Sequence, residues 1–182
     1  MVNADHCSRP RLPLVWLLLA AFAGHALAAQ TCKYDSIPAT APASRFSDNG
    51  NGTVTDKMTG LQWQRCSEGQ TWVGGTCTGT ASSFTWQQAL QYADTAIVVG
   101  KDDWRLPNIN ELTSIFEEAC YGPAIDLWVF PATNSSPYWS SSPDSSPGMG
   151  NSGSAWFVLP STGNQGTIDR LHSYRVRLVR GG

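Results

Sequence analysis

Ten residues constrain the fold of this chain more than any others: Asp103-Trp104-Arg105-Leu106-Pro107-Asn108-Ile109-Asn110-Glu111-Leu112. Pro107 fixes its own φ and pushes Leu106 out of the helical region, so the backbone turns a corner there. Asn108 offers a side-chain oxygen to cap a helix, and Glu111, three residues on, can reach back to the cap amide. Ile109, Leu112 and Phe116 recur at helical spacing, which predicts a helix over 108–119 with one apolar face. Trp104 and Leu106 are bulky enough to lock the corner into a core. Glu111, Glu117 and Glu118 read as the solvated face of that helix. Glu117 and Glu118 are adjacent and point in different directions on a helix, so they do not form an acid–base pair.

Before the corner the pattern is mostly β. Phe46 starts a short strand, and Asp48-Asn49-Gly50-Asn51-Gly52 is a tight turn, because Asn-Gly accepts positive φ. Thr53-Val54-Thr55-Asp56 returns as a strand, and Leu61-Gln62-Trp63-Gln64 alternates apolar and polar as a half-buried one. The Asp48–Asp56 region lacks the ligand spacing and final Glu of an EF-hand and reads as a hairpin rather than a calcium loop. Residues 66–83 form a Cys-, Gly-, Ser- and Thr-rich loop, with Trp72 folding back over it. Thr85-Trp86-Gln87-Gln88 opens a first helix with a capping box. Trp86, Ala89, Leu90 and Ala93 make its apolar face, with Ile97 beyond.

After the corner, Asp126 to Pro131 is an apolar segment ended by proline. Tyr138-Trp139-Ser140-Ser141-Ser142 reads as a strand, followed by an irregular loop from Pro143 to Gly153. Ala155-Trp156-Phe157-Val158-Leu159 is the most apolar strand and is expected to be central. Tyr174 to Arg180 reads as a final alternating strand. Two helices flanked by antiparallel strands make the chain α+β.

The N-terminus has the layout of a secretory signal peptide over residues 1–28. Arg9 and Arg11 precede an apolar run from Leu14 to Ala23, and Ala26-Leu27-Ala28 supplies small residues at a cleavage site. The run is shorter than the ~20 apolar residues of a membrane span. Residues 29–44, with Pro38 and Pro42 and no hydrophobic period, read as a tail and linker tied down by Cys32. The folded domain is expected over 45–182. Cleavage would remove Arg9, Arg11 and Asp5, leaving 10 of 12 basic and 13 of 14 acidic residues, a formal charge of −3. It would also leave four cysteines, Cys32, Cys66, Cys77 and Cys120. An even count in an exported chain points to disulfides, and no C-x-x-C pair suggests a metal. Three pairings exist. Cys66–Cys77, closing a short loop, with Cys32–Cys120, pinning the tail, is the favoured one; a bridge typically contributes roughly 2–4 kcal/mol, the longer loop more in the chain-entropy account.

The order of motifs resembles a family of bacterial exported domains whose named member is the C-terminal domain of the Legionella collagen-like adhesin. The resemblance rests on Arg45-Phe46-Ser47-Asp48-Asn49-Gly50, Thr53-Val54-Thr55-Asp56 and Thr59-Gly60-Leu61-Gln62-Trp63. It continues through Thr85 to Leu90, Asp103 to Asn108, Glu111-Leu112, Tyr138 to Ser142 and Val176 to Arg180. It implies a C-type-lectin-like fold, also used by formylglycine-generating enzymes, and a trimeric domain that binds sulfated glycosaminoglycans. Two features differ from that pattern: the chain has no Gly-X-Y repeat, and its charge after leader removal is negative.

These readings converge on an exported, non-enzymatic, adhesin-like domain, located in the periplasm, at the cell surface or outside the cell. The expected partner is a glycan or another host or cell-surface polymer, with no nucleic acid, no membrane span and a homotrimer in view. The alternatives are a structural domain of a surface fibre or envelope complex, and an enzyme of the formylglycine-generating type. The enzyme needs reactive cysteines, which two disulfides would consume, and His172 alone after the leader cannot build a His-rich metal site. No catalytic residue, metal ligand set or cofactor is expected. The ligand-binding candidates are Arg170, His172, Arg175, Arg177 and Arg180, a basic cluster suited to sulfate or carboxylate. In an extended strand Arg175 and Arg177 share a face. The opposing reading pairs these arginines with acids such as Asp102, Asp103, Glu117 and Glu118. Trp139, beside its serines and the Pro143–Gly153 loop, is the preferred sugar-stacking candidate, and Trp72 the second. Trp86, Trp104 and Trp156 are expected in the core. The calcium-dependent sugar motifs of true C-type lectins are absent from the sequence.

Overall fold

The computed structural model describes residues 30–145 and 153–181. The leader expected over 1–28 and most of the loop expected over 143–153 lie outside the described residues. In chain order the elements are β1 (Thr31–Cys32), a 3-10 turn (Ala43–Arg45), β2 (Phe46–Asp48), β3 (Thr53–Asp56), β4 (Gln62–Gln64), β5 (Thr71–Val73) and β6 (Thr76–Thr78). There follow α1 (Trp86–Thr95), α2 (Ile109–Ser114), β7 (Cys120–Tyr121), β8 (Tyr138–Asp144), β9 (Ser154–Val158), β10 (Gln165–Asp169) and β11 (Val179–Arg180). The strands pair antiparallel in sheets ordered β11-β4-β3-β2 and β10-β9-β8, with two-stranded pairs β1-β7 and β5-β6. The chain is therefore α+β, and β9 is the central strand of its sheet.

Local chemistry accounts for the first hairpin. Asp48 pairs with Val54 across the β2–β3 turn, and Gly50 takes φ +75° there, which only glycine adopts freely. Gly52 is needed for a second reason: a Cβ on it would lie 2.8 Å from the Trp72 side chain. Trp72 packs back on this hairpin. Asp56, fully buried, is forked by Arg45 at 2.8 and 2.5 Å and also accepts from Thr59 Oγ1 and the Met58 amide. Burial raises its pKa, but the Arg45, Thr59 and Met58 hydrogen bonds outweigh that and hold the carboxyl below its usual range.

The corner ties the sheets together. Arg105 and Val179 exchange both backbone hydrogen bonds, and Ser141 N–H donates to Pro107 O, so one short segment joins β11 to β8. Trp104 and Leu106 are buried in one apolar cluster with Trp139, Val176 and Leu178. Leu112, Ile115 and Phe116 belong to a second, with Trp63, Phe130 and Val158. Both helices have complete capping boxes, Thr85 with Gln88 and Asn108 with Glu111. Glu111 also receives the Arg105 fork at 2.7 Å on each oxygen.

Several local expectations change. The second helix ends at Ser114, not Ala119, because Glu117 leaves the helical path and turns inward. Glu117 is fully buried rather than solvated, and accepts the amides of Thr40, Ala41 and Ala119 at 2.9–3.1 Å. The 30–44 segment is held by more than Cys32: β1 pairs with β7, Gln30 donates to the carbonyls of Pro123 and Ile125, and Ala41 is buried. Ile97 is exposed rather than part of the α1 face, since α1 ends at Thr95. Only Val179–Arg180 of the expected final strand pairs as a named strand. The disulfides are Cys32–Cys120 and Cys66–Cys77.

Candidate functional site

The five basic candidates do not form one patch. Arg177 is 1% exposed and donates to the carbonyls of Gln64 and Arg65 and to Thr133 Oγ1, with its guanidinium 4.7 Å from the Phe130 ring centroid. Burial pulls its pKa below the usual arginine value, against the opposing influence of Tyr138 and Glu68. It satisfies backbone carbonyls inside the molecule and offers nothing to a surface ligand, which corrects its assignment as a ligand contact. Arg175 is half-buried and donates to Ala81 O and Ser83 Oγ. The two arginines therefore do not present a common basic face. Arg180 is forked on Asp103 at 2.7 Å and donates to Gln62 Oε1; the hydrogen bond from Arg180 holds the Asp103 carboxyl low. The acid pairing weighed for these arginines thus holds for Arg180 with Asp103. His172 is exposed, with Nδ1 3.2 Å from Asp169 O.

Of the aromatic candidates, Trp139 is 0% exposed. Its indole N–H donates to Phe84 O at 2.8 Å and its ring lies 4.7 Å from that of Tyr174. A tryptophan sealed on all sides cannot stack on a sugar, so Trp139 is a core residue. Trp72 is half-buried, with the Arg65 guanidinium 4.2 Å from its ring centroid.

Arg170 lines a substantial groove. Together with Thr85, Trp86, Gln87, Leu90 and Leu171 it encloses about 430 Å³, within the ~300–1,000 Å³ typical of ligand sites. Trp86 is the first residue of α1, partly buried and packed against the edge of the apolar cluster that holds Trp104 and Trp139. Trp86 N–H donates to Arg170 O at 3.1 Å, and its indole N–H donates to Ser140 O at 2.8 Å. The Arg170 guanidinium lies 4.3 Å from the Trp86 ring centroid, and its Nε donates to Ser154 O. Trp86 is half-buried instead of core, as is Trp156; Trp104 alone of that trio is buried. The groove joins a cation, an aromatic surface, the Gln87 amide and the exposed Leu171 at the positive end of the α1 dipole. That inventory suits an anionic or hydroxyl-rich ligand with an apolar face.

A second polar cluster is internal. Tyr92 OH donates to Glu68 Oε2 at 2.5 Å, and Ser67 and Tyr138 share a hydrogen bond of 2.5 Å. Glu68 Oε1 lacks a well-formed partner among the described residues, although Gln64 lies close enough to weigh on the group. Burial pushes the Glu68 carboxyl up, against Tyr92, Gln64 and Arg177, and burial together with Glu68 pushes Tyr92 to about 12. Tyr92 covers this carboxylate, so the cluster acts in packing rather than as an open reaction centre. All four described cysteines are consumed in disulfides. Among the described residues no helix is long and apolar enough to cross a membrane.

No curated protein matches the chain. A family model described as the Lcl C-terminal domain matches residues 52–180, which run from β3 through both helices, the corner and the groove residues to β11. The chain belongs to the Lcl C-terminal domain family, a family of adhesin-associated domains.

Proposed function

We propose that this chain is an exported, non-enzymatic surface domain of adhesin type that binds glycans, and that sulfated or carboxylated chains engage it at the Trp86–Arg170 groove. The observation that carries the reading is the Arg170 guanidinium stacked 4.3 Å from the Trp86 ring in an open groove. A guanidinium so held keeps its forked donors oriented toward sulfate or carboxylate, and the indole supplies apolar surface for a sugar ring. Membership of an adhesin-associated family supports the placement at the cell surface. Two helices, antiparallel sheets and two disulfides are what a C-type-lectin-like fold would require. In this reading residues 1–28 are a cleaved leader, 45–182 are the binding domain, and three copies associate as in a homotrimer.

The test is binding of the oxidised chain to a glycan panel that includes heparin, with a salt titration and a calcium/EDTA pair. The expected result is heparin binding that weakens with salt, is indifferent to calcium, and falls about tenfold in Arg170→Ala, the scale of one desolvated charge contact. Absence of binding across the panel, or an Arg170→Ala protein that binds heparin as the wild type does, overturns the reading. A structural domain that binds protein partners then becomes the better account.

A further inference from the structure

Trp128 is 87% exposed, more than any other large apolar side chain among the described residues. A single exposed apolar residue is ordinary. Trp128 differs because its backbone is fixed from both sides. Asp126 Oδ1 accepts the amides of Trp128 and Val129 at 2.8 and 3.3 Å, and Phe130 N–H donates to Asp126 O at 2.8 Å. Arg65 donates to the carbonyls of Trp128 and Val129 at 2.5 and 2.9 Å. Five hydrogen bonds thus hold in place a loop whose apex presents an indole to solvent, while Val129 and Phe130 beside it are buried. A surface kept rigid in this way loses little freedom when a ligand settles on it.

The surroundings indicate the ligand. A shallow recess of about 170 Å³ lies at the Trp128 position, lined by Phe46, Asp48, Val54, Arg65, Trp128 and Val129 among others. It is smaller than an enclosed small-molecule site, ~300 Å³ or more, and its volume is on the scale of a single ring rather than a longer ligand. Asp48 stands there with its side chain 55% exposed, bonded to Arg65 at 2.6 Å and to the Gly50 amide at 2.8 Å. A carboxylate has about four acceptor positions, so capacity remains for a hydroxyl. Arg65, by contrast, is largely covered, with its side chain 9% exposed and stacked on Trp72. The accessible charge is therefore negative, which disfavours a sulfate and favours a donor.

We propose that Trp128 and Asp48 form a second binding site, for a neutral hexopyranose unit: the C–H face of the ring stacks on the indole and a ring hydroxyl donates to Asp48. The site is separate from the Trp86–Arg170 groove and does not depend on it. The experiment titrates the ¹⁵N-labelled, oxidised chain with linear trisaccharides of glucose, galactose and mannose while observing the indole N–H resonances. The Trp128 signal is assigned by its loss in Trp128→Phe. The expected result is that at least one trisaccharide moves the Trp128 signal, with affinity unchanged by salt. Trp128→Ala lowers that affinity about tenfold, as loss of a stacked aromatic does, without changing the melting temperature, and Trp128→Tyr restores part of it. Arg170→Ala leaves it intact even where heparin binding is lost. The proposal is overturned if no trisaccharide moves the Trp128 signal or if Trp128→Ala binds as the wild type does. It is also overturned if sedimentation shows that Trp128→Ala converts an oligomer into a monomer, which makes the indole a contact between copies of the chain.

Discussion

Glu117 takes the backbone amides of Thr40 and Ala41 on its two carboxylate oxygens, 2.9–3.1 Å from each, across 76 or more residues of sequence. It also accepts from Thr40 Oγ1 and from the Ala119 amide, and no part of it is exposed. One carboxylate thus anchors the N-terminal segment to the end of α2. Glu117→Ala leaves three amides without their acceptor, each worth about 1–3 kcal/mol when buried and unsatisfied. The expected loss is about 3 kcal/mol in a urea melt. A loss under about 0.5 kcal/mol, the range of ordinary surface substitutions, would show that the segment is not held this way.

The two disulfides should contribute unequally. Cys32 and Cys120 are 88 residues apart, whereas Cys66 and Cys77 are 11 apart. In the chain-entropy account the first restricts the unfolded chain more, about 4–5 kcal/mol against about 3. Paired alanine substitutions compared by denaturant melts should rank Cys32/Cys120 as the more costly pair to remove. The reverse order would mean that the short bridge shapes the native 66–83 loop more than it restricts the unfolded state.

Glu68 gives stability a pH dependence of defined sign. Its folded pKa lies above its ordinary value of 4.5, chiefly through burial. Above pH 4.5 the unfolded chain therefore releases this proton first, and the contribution of the site to stability falls until the folded carboxyl also ionises. Glu68→Gln retains an acceptor for Tyr92 and removes that fall. The stability of Glu68→Gln relative to wild type should therefore rise as the pH is raised from 4.5 through the elevated folded pKa of Glu68, and level off above it. A difference independent of pH would place the Glu68 pKa at its ordinary value.

The arginines divide into structural and available ones. Arg177→Ala strips donors from Gln64 O, Arg65 O and Thr133 Oγ1 and removes a cation from the Phe130 face. The expected cost is at least about 3 kcal/mol. Arg170→Ala loses one carbonyl contact and a half-exposed stack on Trp86, about 1 kcal/mol. Thermal melts of the two variants should separate clearly. Equal shifts would mean that Arg170 also serves the fold.

What the sequence determined by itself is what neighbouring residues decide among themselves. Asn49-Gly50, the Pro107 corner and the two capping boxes act over a few residues, and each appears where its local chemistry placed it. The alternating and apolar runs also located β4 and the central β9. Tertiary structure decided which side chains face the solvent. Arg175 and Arg177 look equivalent in an alternating strand, yet Arg177 is sealed because the carbonyl of Gln64, 113 residues away, needs its donor. Trp139 is enclosed by Phe84 and Tyr174, while Trp86 at a helix end meets Arg170 in an open groove. Glu117 turns inward because Thr40 and Ala41 bring it amides that no local pattern announces. Burial is settled by partners distant in sequence, and a local pattern carries no record of them.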